Sequence, residues 1–130
     1  MEVLFLQVDE ELYALPMEFL REVIARPRIT RLPTAPASIL GLVNVRGEIV
    51  PLFDVAGLLG TGRISTASFA VVIEIDGVRA ALAASAVPES GEVDQRAGEA
   101  QQPEARGVYR HGDRFTTLID PVATLAGAHR

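Results

Sequence analysis

The chain has no cysteine, no lysine and no tryptophan, and only two histidines. The missing thiols exclude disulfides, thiolate-bound metals and cysteine nucleophiles. Aromatic residues make up 5% of the 130 positions and hydrophobic residues 48%. Val, Ile, Leu and Ala must therefore fill the core. This length supports one domain, and the apolar share separates the chain from disordered sequences. All twelve basic residues are arginine and the net charge is −5, a balance that opposes general nucleic-acid binding. The arginine-only usage reads as genomic base composition. No apolar run approaches the ~18 residues of a membrane span, so no direct membrane insertion is expected. Met1-Glu2-Val3-Leu4-Phe5 carries no basic residue and reads as a strand rather than a signal peptide. A soluble cytoplasmic domain is the expectation.

Reactive constellations are equally scarce. His111 falls in a hairpin turn and His129 in the tail, neither with a second ligand at metal spacing. Both read as solvated histidines. Gly57, Gly60 and Gly62 lie in the wrong order for a dinucleotide fingerprint and no βαβ unit surrounds them. There is no G-x-S-x-G and no P-loop. Asp54 and Asp120 read as caps on short helical turns rather than paired acids. No enzyme, metal or cofactor is expected.

Short strands and glycine turns are what the chain does have. Val3 to Val8 and Leu12 to Leu15 read as an opening hairpin around Asp9-Glu10-Glu11, ended by Pro16. Met17, Leu20 and Ile24 recur at helical spacing, which predicts a short helix over 17–24. Arg26 to Pro33 is extended and proline-limited, and Pro33 and Pro36 bracket a turn. Within Ile39 to Asp54 two apolar runs flank Arg46-Gly47-Glu48 and read as a strand, a glycine turn and a second strand, followed by a helical turn at Val55–Leu59 stopped by Gly60. Phe69–Ile75 and Val78–Val87 flank Asp76-Gly77. Pro88 to Arg106 is polar and reads as loop with at most one short strand. Gly107–Arg110 and Phe115–Ile119 form a further hairpin, with a helical turn after Asp120-Pro121. The pattern predicts an all-β barrel or sandwich. A hairpin, an Asp and an apolar turn occur at Ile49–Leu59 and again at Phe115–Leu125. Two small barrels packed together would produce that echo.

Three features bear on binding. Leu20 is either core or an exposed anchor, and the core is favoured. Arg46, at a turn tip beside Gly47, suits an interface through its planar fork, or is a solvated side chain. Arg21, Arg26, Arg28 and Arg31 form a basic cluster, read either as a face for an anionic partner or as a solvated face paired with Glu18 and Glu22.

The blocks Tyr13-Ala14-Leu15-Pro16, Arg21-Glu22-Val23, Leu32-Pro33 with Pro36, and Gly41-Leu42-Val43-Asn44-Val45-Arg46-Gly47-Glu48-Ile49-Val50-Pro51-Leu52-Phe53-Asp54 closely resemble the CheW family of chemotaxis coupling proteins. Gly107-Val108 and Leu118-Ile119-Asp120 resemble the family's closing hairpin. The resemblance implies a mainly β, CheW-like fold. In that fold two small five-stranded SH3-like barrels pack side by side, with one or two short helices, in a single domain over 1–130 divided near 60–68. It implies a non-enzymatic adaptor that couples the cytoplasmic tip of a methyl-accepting chemoreceptor to the regulatory domain of a CheA-type histidine kinase, at membrane receptor arrays. It assigns Asn44, Arg46 and Gly47 to the signature turn, Gly41 and Arg46 to coupling, and Leu20 and Glu22 to the receptor-facing surface. One segment departs from the family: Ala84-Ser85-Ala86-Val87 stands where a Val-Asp pair followed by Val is usual. A divergent scaffold of a pilus or gliding pathway that binds the kinase without a standard receptor is the alternative. A small-barrel nucleic-acid binder is more remote.

Overall fold

The computed structural model describes residues 1–93 and 96–127; His129 lies outside them, as do Asp94 and Gln95 of the polar stretch. β1 (Glu2–Val8) and β2 (Glu11–Pro16) form the opening hairpin. A 3-10 turn, Met17–Phe19, leads into β3 (Leu20–Ala25). β4 (Ile29–Thr30), β5 (Ile39–Val45), β6 (Glu48–Phe53) and α1 (Val55–Leu59) follow. Then come β7 (Phe69–Ile75) and β8 (Val78–Ala84), and the short β9 (Glu89–Glu92) and β10 (Arg96–Gly98). β11 (Ala105–His111), β12 (Arg114–Ile119) and α2 (Pro121–Gly127) end the described chain.

The mainly β architecture is the one expected, with two sheets and two short helices. Each sheet has six strands rather than five, in the orders β10-β11-β12-β2-β1-β9 and β3-β7-β8-β6-β5-β4. The additions are edges too short or too polar to read from sequence. The first sheet draws on residues 2–16 and 89–119 and the second on 20–84. The sheets thus part at the 3-10 turn and after β8.

Three local expectations are corrected. Residues 17–24 are not a helix: the 3-10 turn ends at Phe19 and β3 pairs with β7, Glu22 opposite Val72 and Ile24 opposite Ala70. Leu20 and Ile24 are four apart, an even number that fits a strand as well as a helix. The helix-only spacing, Met17 to Leu20, falls across the 3-10 turn, whose own period is three. The polar stretch 88–106 holds two short strands, not at most one. β9 pairs with β1, and β10 with β11. Both expose nearly every side chain, so neither alternates, as suits charged sheet edges. Finally, β8 ends at Ala84 rather than Val87.

The internal echo is structural. β11, β12 and α2 repeat β5, β6 and α1 in sheet position, and each last hairpin strand pairs in parallel with a strand of another hairpin, β6 with β8 and β12 with β2. Asp54 caps α1, its Oδ1 accepting from Ala56 N–H at 3.1 Å. Asp120 caps α2, accepting from Val122 and Ala123 N–H at 3.1 and 3.2 Å.

Two cores result. Val3, Phe5, Leu12, Ala14, Val93 and Leu118 form the smaller. Leu4, Leu6, Val8, Tyr13 and Leu15 turn the other way, into the larger one built on β5 to β8. Alternate residues of one hairpin thus serve both cores. Polar bonds fix its tip to the second sheet. Ser65 N–H and Oγ donate to Asp9 at 3.1 and 2.6 Å, and Ser85 N–H donates to the Gln7 carbonyl at 2.8 Å. Leu15 is fully buried, so Leu15→Ala should cost about 2–5 kcal/mol. Because the hairpin is common to both cores, urea unfolding monitored by far-ultraviolet circular dichroism should keep one transition. Two separated transitions would show that the cores are independent.

Candidate functional site

The β5–β6 turn is built by Arg46 and Gly47, with φ of +52° and +89°. Positive φ at both central residues makes a type I′ turn, whose twist matches the flanking strands. The β7–β8 turn has the same form at Asp76 and Gly77, with φ of +50° and +81°. Aspartate tolerates that left-handed region better than most residues, whereas an arginine there is strained by roughly 1 kcal/mol. Asn44 supports the strained turn: its Oδ1 accepts from Gly47 N–H at 2.8 Å.

The Arg46 side chain reaches β3. Its Nε and Nη2 donate to the two carboxylate oxygens of Glu22, both at 3.2 Å. This is a two-pronged guanidinium–carboxylate fork. Arg46 is 79% exposed and Glu22 28%. A pair that wet contributes no more than about 1 kcal/mol, so it orients the guanidinium rather than holding the fold.

The structure therefore brings Glu22, Asn44, Arg46 and Gly47 into one feature. Leu20 lies on the same strand as Glu22, half-buried against the larger core. Gly41 is elsewhere, buried on β5 under β4; a Cβ there would collide with the Thr30 carbonyl oxygen. Gly41 thus sets the path of β4 and presents no side of its own. The same geometry recurs at Gly107, where a Cβ would meet the Arg96 guanidinium on β10.

Charged neighbours extend the site. Arg79 Nε donates to Glu74 Oε1 at 2.8 Å, and Arg21 stands 3.7 Å from the same carboxylate. The Arg79 bond, with help from Arg21, holds the Glu74 carboxyl below the usual carboxylate range against partial desolvation. Glu74 in turn raises the Arg79 guanidinium, with smaller contributions from Glu48 and Glu22.

Sequence reasoning did not single out an apolar pair beside this cluster. β6 and β8 run parallel with Leu52 opposite Ala81. Three residues before that pair, Ile49 and Val78 are 59% and 58% exposed. Val78 is the first residue of β8 and Ile49 the second of β6, each strand following a type I′ turn. Their residue types alone do not tell covered from uncovered strand positions. On the other sheet, His111 is not merely solvated: its ring stacks on Phe5 with centroids 4.0 Å apart. Ser85 bonds to Gln7 and Asp9 while Val87 stays exposed. Among the described residues no group of three His, Asp or Glu side chains could hold a metal ion, and no helix is long and apolar enough to cross a membrane.

Two six-stranded sheets share one hairpin, and the second carries a strained Asn-x-Arg-Gly turn. The CheW-like domain model matches residues 2–128, and the chain belongs to that family. It is similar to a crystal structure of the scaffolding protein TtCheW from Thermoanaerobacter tengcongensis, with TM-score 0.76, 27% identity, and 92% of this chain and 83% of that chain covered. It is 41% identical over 49 residues to the protein PilI of Pseudomonas aeruginosa, 38% of this chain and 28% of PilI. It is 34% identical over 59 residues to the chemotaxis protein CheW of Thermotoga maritima, 45% of this chain and 39% of that protein. The matches thus span well under half the length of these two curated relatives.

Two outcomes test the site's construction. Asn44→Ala removes the acceptor for Gly47 and should cost about 1 kcal/mol in chemical denaturation. Glu74 is lowered in the folded state, so its stabilising effect is complete above its ordinary value of 4.5 and fades as pH falls through the lower folded value. Glu74→Gln should therefore flatten the loss of stability on acidification below pH 4.5. An unchanged acid limb in melting curves would mean that Arg21 and Arg79 do not act on this carboxylate.

Proposed function

We propose that this chain is a non-enzymatic adaptor of chemosensory two-component signalling. It couples the cytoplasmic tip of a chemoreceptor to the regulatory domain of a CheA-type histidine kinase. The observation that carries the reading is the Arg46 turn. A guanidinium is held on a strained tip and aimed by Glu22, at a site where the contact adds little stability. Strain kept without a stability return points to function. Family membership and the likeness to a CheW scaffold supply the class of partner.

Two surfaces serve the two partners. The first is the Arg46 turn with Asn44, Gly47, Glu22 and Leu20, a polar rim beside a half-buried apolar anchor. That combination suits one face of a helical hairpin such as a receptor tip. Gly41 acts on this surface through the course of β4. The second is the exposed apolar strand ends, Ile49 and Val78, which suit a partner domain that covers them. Such contacts are individually small, so repeated copies beneath clustered receptors would supply the avidity. The protein would then work in the cytoplasm, beside membrane receptor arrays. The similarity to PilI favours a second reading, a scaffold of a pilus or gliding pathway that keeps the kinase surface without a standard receptor.

Arg46→Glu sets two carboxylates against each other at the tip. It should weaken receptor-fragment binding roughly tenfold or more and leave the melting temperature nearly unchanged. Combining it with Glu22→Arg restores the pair with its ends exchanged. Recovery of binding in the exchanged protein would show that the pair itself is sufficient, and continued loss that the guanidinium must project from the turn. Retention of full binding by Arg46→Glu alone would remove the turn from the site. Pull-downs against kinase and receptor fragments separate the two readings: both bind under the first, the kinase alone under the second.

A further inference from the structure

The arginines differ sharply in how they are partnered. Arg21 and Arg79 meet Glu74, Arg46 meets Glu22, Arg96 meets Glu99 and Arg106 meets Asp120. Arg114 donates to Gln7 Oε1 and to the Glu10 carbonyl, and Arg110 lies over the Phe115 ring. Among the described residues, the guanidinium groups of Arg26, Arg28, Arg31 and Arg63 enter none of the hydrogen bonds or ion pairs, although the chain carries seventeen acids. Two of these four, Arg31 and Arg63, are distant in sequence and line one cleft of about 390 Å³.

The rest of that cleft is apolar. Leu32, Pro33, Pro36 and Leu40 line it; Leu32 is 40% exposed and Leu40 is buried as the floor. Both walls are anchored. On one side the proline loop is fixed by its ring-locked φ angles and by two turn bonds. Ala35 N–H donates to the Leu32 carbonyl at 3.1 Å, and Ile39 N–H to the Pro36 carbonyl at 2.9 Å. On the other side Ile64, next to Arg63, donates its N–H to the buried carboxylate of Asp54 at 2.9 Å. α1 presses against the proline loop so closely that a Cβ on Gly57 would lie 2.7 Å from the Ala37 carbonyl oxygen. The cleft is therefore preformed, and a ligand need not order it.

An unpaired guanidinium on each wall selects carboxylates, which it binds with charge-assisted hydrogen bonds. A floor of Leu and Pro selects an aliphatic side chain. The lining has no aromatic residue on which a base could stack. The cleft sits at the start of β5 and the Arg46 turn at its end, about 20 Å apart along a seven-residue strand. We propose that this cleft is a third docking site, for an acidic segment of a partner protein that places one aliphatic side chain between flanking carboxylates. The proposal does not depend on the adaptor reading.

Fluorescence anisotropy with the whole protein tests it, using fluorescein-labelled Asp-Glu-Leu-Glu-Asp, its amide counterpart Asn-Gln-Leu-Gln-Asn, and Asp-Glu-Gly-Glu-Asp. The first peptide should bind saturably and more weakly as salt rises. The amide peptide should not bind, and the glycine peptide should bind several-fold more weakly than the first. R31E/R63E should weaken binding at least tenfold, and R31Q/R63Q by a smaller factor. R110E/R114E, equal in charge to the first variant, should stay within about twofold of the unaltered protein. All substituted side chains are exposed, and melting curves check that each variant folds. The proposal is overturned by no saturation at millimolar peptide, or by equal losses in the two charge-reversal variants. Tighter binding to anionic lipid vesicles or single-stranded RNA than to the peptide would also overturn it.

Discussion

Everything in this molecule rests on one hairpin that is buried on both faces. Val3, Phe5, Leu12 and Ala14 look into the smaller core, and Leu4, Leu6, Val8, Tyr13 and Leu15 into the larger. Its register is doubly determined, because a slip of one residue would exchange the two sets of side chains. β8, which touches β1, is lined on its two faces by Ala80, Ala81, Ala83 and Ala84, all wholly buried. Small side chains there allow the second sheet to approach closely. The Ser85 and Ser65 bonds to Gln7 and Asp9 then satisfy polar groups where the two sheets meet.

Against that tightly determined interior, the Arg46 turn is built on a different logic. Its twin, the Asp76-Gly77 turn, shows what the geometry accepts without strain. Arginine in the same backbone well is disfavoured, and the wet fork to Glu22 returns too little to justify it by stability. What the arrangement achieves is orientation. The guanidinium is largely exposed, and Glu22 limits the rotamers it would otherwise sample.

Much of this was legible from residues and some was not. The hairpins announced themselves through Arg46-Gly47 and Asp76-Gly77, and the caps through Asp54 and Asp120, because turns and helix starts depend on local chemistry. β3 was misread because Leu20 and Ile24 satisfy two periods at once, and only its pairing with β7 decides between them. β9 and β10 escaped because edge strands carry no alternation. The candidate site was half visible. Asn44, Arg46 and Gly47 are adjacent in sequence, and family resemblance pointed to Leu20 and Glu22. That Glu22 receives the Arg46 fork follows only from how the second sheet curls. Exposure of Ile49 and Val78, and the meeting of Arg31 with Arg63, are likewise products of packing between distant segments.

The permuted order of the two sheets has a consequence for how the chain is made. The second sheet is continuous in sequence, from β3 to β8, and is complete once residue 84 is available. The first sheet needs β1 and β2 from the beginning together with β11 and β12 from near residue 119. During synthesis the opening hairpin therefore has a partner for its Leu4, Leu6 and Leu15 side long before it has one for Val3, Phe5 and Leu12. The second sheet shelters the hairpin until late strands arrive, and the last step closes the longest loop in the molecule, the slow kind of contact for a chain to find.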